Sequence, residues 1–291
     1  MNQEQMEAER AAAIAADKCF TKGRLRSEYR MKPAPDTSPV AYYRGAYGST
    51  FGVYRIAECV PLRDRPQKGQ VSVKQQRAAK ILSVKARMRS KAAQVSAVAL
   101  GWISGDGRVV DTETTGLGDD AQIIELAIGD MHGNILFKSR LRPTVPIEPQ
   151  ASEINGILDQ HLLAAPTWPE IAFEVTALLE GRSVVIFHAE YDKRLLRQTA
   201  AAFGMPDPWP ESSTSRCAMH LSVRAFGATN KHGTISLAKA AAAAGVTWKG
   251  PAHSAAADVL ATVDLVHSIA RYQQELDAEL KALQENQAEG V

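Results

Sequence analysis

The run Val184-Val185-Ile186-Phe187 offers water nothing on either side. Successive side chains of a strand point to opposite faces, so a strand without a polar position has to be covered on both. Gly107–Asp111, with Val109-Val110 in its apolar half, and Ile123–Ile128 are further strands, and another over 134–141 follows the turn Asp130-Met131-His132-Gly133. Segments with helical spacing lie between and after them: 168–179 (Ile171, Val175, Leu178), 190–203, 235–244, and a long final helix from about Ala255 with Val259, Val263 and Val266 on one face. Strands mixed with helices on both sides imply a three-layer α/β domain. The 291 residues suffice for one or two domains, and 45% hydrophobic residues exclude wholesale disorder. No apolar run reaches the roughly 18 residues that cross a bilayer. The opening MNQEQMEAER is polar and acidic, so neither a secretory signal nor a membrane contact is expected. Cys19, Cys59 and Cys217 are scattered without metal-ligand spacing, as expected in a reducing, cytoplasmic compartment.

A formal net charge of +2 conceals two opposite halves. Residues 1–100 hold 19 of the 34 Lys and Arg but only 8 of the 32 Asp and Glu, net +11 against −9 for the rest. A basic segment joined to an acidic one suggests a polyanion-binding arm on a domain that uses carboxylates. Residues 1–31 are expected to form one amphipathic helix that turns basic at Lys22, Arg24, Arg26 and Arg30 and stops at Pro33 and Pro35. Two β-type runs within 38–62, around Arg44-Gly45-Ala46-Tyr47-Gly48-Ser49, predict a small hairpin. Pro66 to Gly69 is a turn, and Val71 to about Leu100 is helical, inside a stretch from Arg65 to Gly105 that carries no acid. Tyr42, Tyr43, Tyr47, Phe51 and Tyr54 are interleaved with Arg44 and Arg55, a composition suited to stacking bases while neutralising phosphates.

Three segments bear carboxylates at the ends of elements. In Asp111-Thr112-Glu113-Thr114-Thr115-Gly116, after Val109-Val110, strand positions i and i+2 put Asp111 and Glu113 on one face. Two adjacent carboxylates repel, and a divalent cation with a taste for hard oxygen ligands is the usual remedy. His188-Ala189-Glu190-Tyr191-Asp192 follows the buried strand, with Asp192 in the first turn of a helix that Leu195 and Leu196 anchor. In His253-Ser254-Ala255-Ala256-Ala257-Asp258, the two reactive groups can share a site only if His253 stays on the loop and the helix begins near Ser254, a competent N-cap. His253 then hangs over the site as a general base. Taken singly, each segment also reads as a solvated acidic pair, an ordinary helix-start Asp or an exposed loop His.

Taken together, in the order Asp-x-Glu, Asp, His-x4-Asp, they make the chain resemble the DEDDh (DnaQ-like) 3′–5′ exonucleases, a superfamily that includes the proofreading subunit of bacterial replicative polymerase and RNase T. Asp111-Thr-Glu113-Thr-Thr-Gly116 matches the first motif, Ala189-Glu190-Tyr191-Asp192 the second and His253-x4-Asp258 the third. Ile123-Ile124-Glu125-Leu126-Ala127, Ile154-Asn155-Gly156-Ile157 and Leu237 to Val246 add lesser matches, and the likeness spans about residues 104–272. With Ser at 254, the tyrosine-bearing branch is disfavoured. His188 stands where the family often has Asn.

The resemblance implies a ribonuclease-H-like mixed sheet flanked by helices over residues 101–275. Residues 1–100 are then a basic extension with a helix and a small hairpin, and 276–291 a polar helix end or tail. It further implies hydrolysis of phosphodiester bonds from single-stranded 3′ ends, DNA favoured over RNA, with release of nucleoside 5′-monophosphates. The cofactors implied are two divalent ions, Mg²⁺ or Mn²⁺, about 4 Å apart. Asp111 bridges both, Glu113 and Asp258 hold the ion that activates water, Asp192 holds the other, and His253 takes the water's proton. The backbone at Thr114 and Thr115 grips the terminal 3′-hydroxyl beside Gly116, Leu117 packs on the last base, and His188 either contacts nucleotide or packs. An RNA-trimming enzyme and a non-catalytic nucleic-acid-binding module are the competing readings. The basic segment offers nucleic acid, a polymerase or another protein a place to dock.

Overall fold

The computed structural model describes residues 3–45, 48–63, 71–251 and 253–285. Tyr47, Ala46, the expected turn Pro66–Gly69 and the tail from 286 lie outside the described residues. The chain divides into two compact units, Met1–Ser72 and Val73–Val291.

In the first unit, α1 (Gln3–Ala15) stops short of the single long helix expected there. Asp17 turns the chain through the left-handed region at φ 46°, and β1 (Cys19–Thr21) follows. Thr21 then caps α2 (Lys22–Glu28), its hydroxyl accepting from the Arg24 N–H. The reason for the break is long-range. Phe20 pairs opposite Tyr54, and both bury in a core with Leu25, Met31 and Ile56, which outweighs local helical preference. After β2 (Met31–Pro33), the expected hairpin forms from β3 (Ala41–Arg44) and β4 (Thr50–Arg55). A single 3₁₀ turn leads to β5 (Cys59–Pro61), which pairs with β2. The resulting antiparallel sheet has the order β1-β4-β3.

The second unit starts with α3 (Val73–Met88) and α4 (Lys91–Ile103), the latter capped by Ser90. Then come β6 (Arg108–Thr114), β7 (Ile123–Asp130), β8 (Ile135–Arg140) and α5 (Pro149–Asn155). They are followed by α6 (Trp168–Leu179), β9 (Ser183–Ile186), α7 (Ala189–Ala202), β10 (Thr214–Cys217), α8 (Ala218–Phe226), α9 (Leu237–Ala244) and α10 (Ala255–Glu285). The sheet order is β10-β9-β6-β7-β8. β9 runs parallel to β6 and to β10, while β7 is antiparallel to β6 and to β8. This is the ribonuclease-H-like mixed sheet, with helices on both faces.

Alternation along the central strands divides the core in two. Val109 and Val185 face α4, α8, α9 and α10. Val110, Val184 and Ile186 face α6 and α7. Full burial of each such side chain stabilises by roughly 1.5–3 kcal/mol, so the two-sided run specifies where the sheet's centre lies. A Cβ on Gly129 would sit 2.7 Å from Val259 Cγ1. The absence of one lets α10 cross β7 closely and brings its first turn to the end of β6.

Charge alone assigns residues 73–100 to the extension, and the structure corrects that boundary. Val95 and Ala99 enter the main core, and Ser96 Oγ accepts from the Gln273 N–H at 2.8 Å. Val84 and Ala93 pack with Leu276, Leu280 and Leu283. Arg77 Nε donates to the Leu283 carbonyl at 2.7 Å, and Arg87 pairs with Glu279. A cation on the last carbonyls satisfies a helix C-terminus, and α10 runs on as a polar helix end to Glu285. Among the described residues no helix is long and apolar enough to cross a membrane.

Candidate active site

The site forms at the end of β6. Val109, Asp111 and Glu113 share the face that α10 covers, and Asp258 in the first turn of α10 comes to that face. Val110 and Thr112 share the other, where α7 lies, and Thr112 Oγ1 donates to Asp192 Oδ1 at 2.8 Å. The strand positions thus alternate between carrying an acid and holding one. Asp192 and Asp258 are buried, 5% and 9% exposed.

The fold by itself disfavours so many charges. Asp111 keeps part of its surface accessible. Even so, withdrawal from water and the charges of Asp192, Asp258, Glu113 and Glu125 hold it well above the usual carboxylate range. Burial, with Asp258, Glu125 and Asp192, pushes Glu113 up to about 8. Burial likewise raises Asp192 to about 7, against the pull of the Thr112 hydrogen bond. Asp258 is raised by burial, while the charge and backbone N–H of His253 act the other way. Asp258 Oδ1 and the Trp248 indole N–H are buried without partners among the described residues; they approach each other without reaching hydrogen-bond geometry. Clustered carboxylates with a spare buried oxygen are the donor set that hard divalent cations take, so Asp111, Glu113, Asp192 and Asp258 fit such an ion.

His253 is exposed and left-handed at φ 61°. One of its ring nitrogens and one oxygen each from Glu113 and Asp258 lie within 4.8 Å of one another. The left-handed turn keeps His253 off the helix, which begins at Ala255. Ser254 stands at the expected cap position, and its hydroxyl donates to Glu125 Oε1 at 3.2 Å. Glu125 is a fifth acid, opposite Glu113 in the β6–β7 ladder and 3% exposed. Lys138 and Arg140 flank it at 3.5 and 3.6 Å.

A hollow of about 330 Å³ adjoins the acids. Thr114, Gly116 and Leu117 line it, together with Ile154 and Tyr191. The Tyr191 hydroxyl meets Thr114 Oγ1 at 3.0 Å and donates to the Gly116 carbonyl at 3.2 Å. A side chain on Gly116 would collide with the Glu148 carboxyl. Leu117 and Ile154 are 75% and 60% exposed, two apolar groups held out beside a polar cleft. Thr115 and His188 are placed elsewhere. The Thr115 N–H donates to the Gln122 carbonyl at 2.8 Å and its hydroxyl accepts from the Gln122 N–H at 2.9 Å. His188 stacks on Tyr191 with ring centroids 5.9 Å apart, and burial and His220 lower its pKa.

The sequence profile of the RNase_T family, described as exonucleases, matches residues 109–266, more than half of the chain. The chain belongs to this exonuclease family. It is similar to the uncharacterized exonuclease CP81 of Escherichia phage 186, 37% identical over 185 residues, which are 62% of this chain and 95% of that one. It is also similar to the DNA polymerase III subunit epsilon of Escherichia coli, 33% identical over 94 residues, 29% of this chain and 39% of the subunit. Among solved structures, exonuclease X in complex with 5′ overhanging duplex DNA aligns with a TM-score of 0.45 at 23% identity, over 57% of this chain and 92% of that one. The exonuclease's acids, hollow and loop histidine all fall inside the matched residues, except that the unit's α3 and α4 precede them.

Proposed function

We propose that the chain is a 3′–5′ exonuclease that hydrolyses single-stranded DNA ends and releases nucleoside 5′-monophosphates in the cytoplasm. The observation that carries this reading is the meeting of Glu113 and Asp258 with a ring nitrogen of His253, with the charges of Asp111 and Asp192 acting on the same cluster, beside a hollow sized for a nucleotide. Two divalent cations, Mg²⁺ or Mn²⁺, held by the four carboxylates would supply Lewis-acid stabilisation of the attacking and leaving oxygens. His253 takes the proton of the attacking water on its ring nitrogen, and its exposed loop lets that proton pass on to solvent. The terminal base lies between Leu117 and Ile154. The backbone at Thr114 meets the 3′-hydroxyl, since the Thr115 N–H is committed to Gln122. Tyr191 braces the turn through Thr114 and Gly116, and His188 acts behind it by stacking. A single strand reaches such a cleft more cheaply than a duplex, whose end has to be unpaired first.

The test uses matched DNA and RNA single strands, each labelled at its 5′ end. A ladder of labelled products shortening stepwise in Mg²⁺ or Mn²⁺ and absent in EDTA is expected, with DNA degraded faster. Faster degradation of RNA would make the chain an RNA-trimming enzyme. Immediate release of labelled mononucleotide would reverse the polarity, and binding without hydrolysis in either metal would leave a nucleic-acid-binding module.

A further inference from the structure

The first unit holds a hollow of about 790 Å³ that has nothing to do with the acids of the second. Its floor is the sheet β1-β4-β3. Tyr43 and Phe51 lie directly opposite each other in the β3–β4 ladder, so their rings share one face. That face is the one turned away from the core, because Phe20 and Tyr54 pair on the other. Tyr43 is 60% and Phe51 47% exposed. Lys22 and Arg24, from the first turn of α2, line the same hollow, and among the described residues no carboxylate does. Arg24 is paired with Glu28 at 2.8 Å. Lys22 has no carboxylate within ion-pair distance among the described residues, and its ammonium lies 5.2 Å from the centre of the Tyr54 ring.

We infer that this hollow binds single-stranded nucleic acid. Two outward aromatic rings side by side offer π-faces that stack on unpaired bases of any sequence, and Lys22 and Arg24, which line the same hollow from the side of Tyr54 and Phe20, meet the phosphates. A duplex hides its base faces and cannot use the rings. An acidic protein partner would use the cations but has no need of paired exposed aromatics. The sign of the surrounding charge agrees, since residues 1–72 carry 12 Lys and Arg against 8 Asp and Glu. The hollow accounts for the aromatic-rich basic stretch that the exonuclease match leaves uncovered.

Binding is measured by fluorescence anisotropy on the full chain in EDTA, so that neither hydrolysis nor the metal-dependent reading of the second unit enters. The probes are a labelled 20-nucleotide oligo(dT), the matching oligo(U) and a 20-base-pair duplex. The chain should bind the single strands more tightly than the duplex. Tyr43→Ala with Phe51→Ala should weaken single-strand affinity by about tenfold or more without changing its salt dependence. Tyr43→Phe with Phe51→Tyr should restore it. Lys22→Gln, at the exposed start of α2, should lower the slope of log affinity against log salt by about 0.7. Preference between the two single strands tells DNA from RNA. If the double alanine variant, with an unchanged unfolding transition, binds both strands as wild type does, or if the duplex binds best, the inference is overturned. A Lys22→Gln slope equal to wild type contradicts the cation's part in it.

Discussion

The five-stranded sheet and the three-stranded sheet present opposite things to solvent. The larger sheet buries both faces, and at the end of its central strand it holds four carboxylates in an arrangement that burial and mutual repulsion disfavour. The three-stranded sheet buries one face and leaves aromatic rings on the other, where water reaches them. The difference is one of rigidity. Tightly packed valines and isoleucines on both sides can hold acids at short range against their repulsion, whereas a single-sided sheet can only display groups. The proposed chemistry accordingly falls on the first and the proposed contact on the second.

The contrast breaks most visibly at Asp111. Asp111→Ala should bring turnover down to the level seen in EDTA, because an acid shared by the whole cluster is lost. Its metal-free unfolding midpoint should equal or exceed that of wild type, since a repelling charge has been removed. Appreciable hydrolysis by the folded, metal-saturated variant would detach the reaction from the cluster. His253→Ala should lower kcat by about 10²–10⁴ with little change in KM, as for a lost general base. A KM rise at constant kcat would make His253 a substrate contact instead.

Truncation sharpens where the rigid region begins. A chain starting at Val73 keeps α3 and α4 on α10 and should retain metal-dependent hydrolysis of short strands. One starting at Ala99 loses Val84, Ala93 and Val95 from two cores and should fail to unfold cooperatively in calorimetry. Equal behaviour of the two would return residues 73–98 to the extension. The smallest effect is expected at Ser254, which ties the loop of His253 to Glu125. Ser254→Ala should reduce kcat by about tenfold, in the range of lost second-layer support, and Ser254→Thr should recover most of it.

The residues that were legible in the sequence are those whose constraint is local. Val184–Phe187 admits only a strand covered on both faces, and the Asp-x-Glu, Asp and His-x4-Asp spacings led directly to Asp111, Glu113, Asp192, His253 and Asp258. The residues that stayed hidden depend on partners far along the chain. β10 is Thr-Ser-Arg-Cys, an edge strand with no apolar alternation, recognisable only through its pairing with β9. The expected helix over 1–31 breaks because Phe20 meets Tyr54. Glu125 sits in an apolar run, and only the antiparallel register sets it opposite Glu113. Thr115 looks equivalent to Thr114 until its N–H is found bound to Gln122.

If the carboxylate cluster burdens the fold and divalent ions relieve it, the unfolding midpoint must change with pH and with metal. In the folded chain Asp192 rises from 3.8 to about 7 and Glu113 from 4.5 to about 8. Between those values the native state holds protons that the unfolded chain has released, so stability falls as pH rises. The metal-free midpoint should therefore drop from about pH 5 to about pH 8. Mg²⁺ should raise it most at the alkaline end, where the acids are ionised and ready to bind. Asp111→Ala should flatten both the pH dependence and the metal response. A metal-free midpoint that holds steady or climbs over that range, with no gain from Mg²⁺ at its upper end, would contradict the claim.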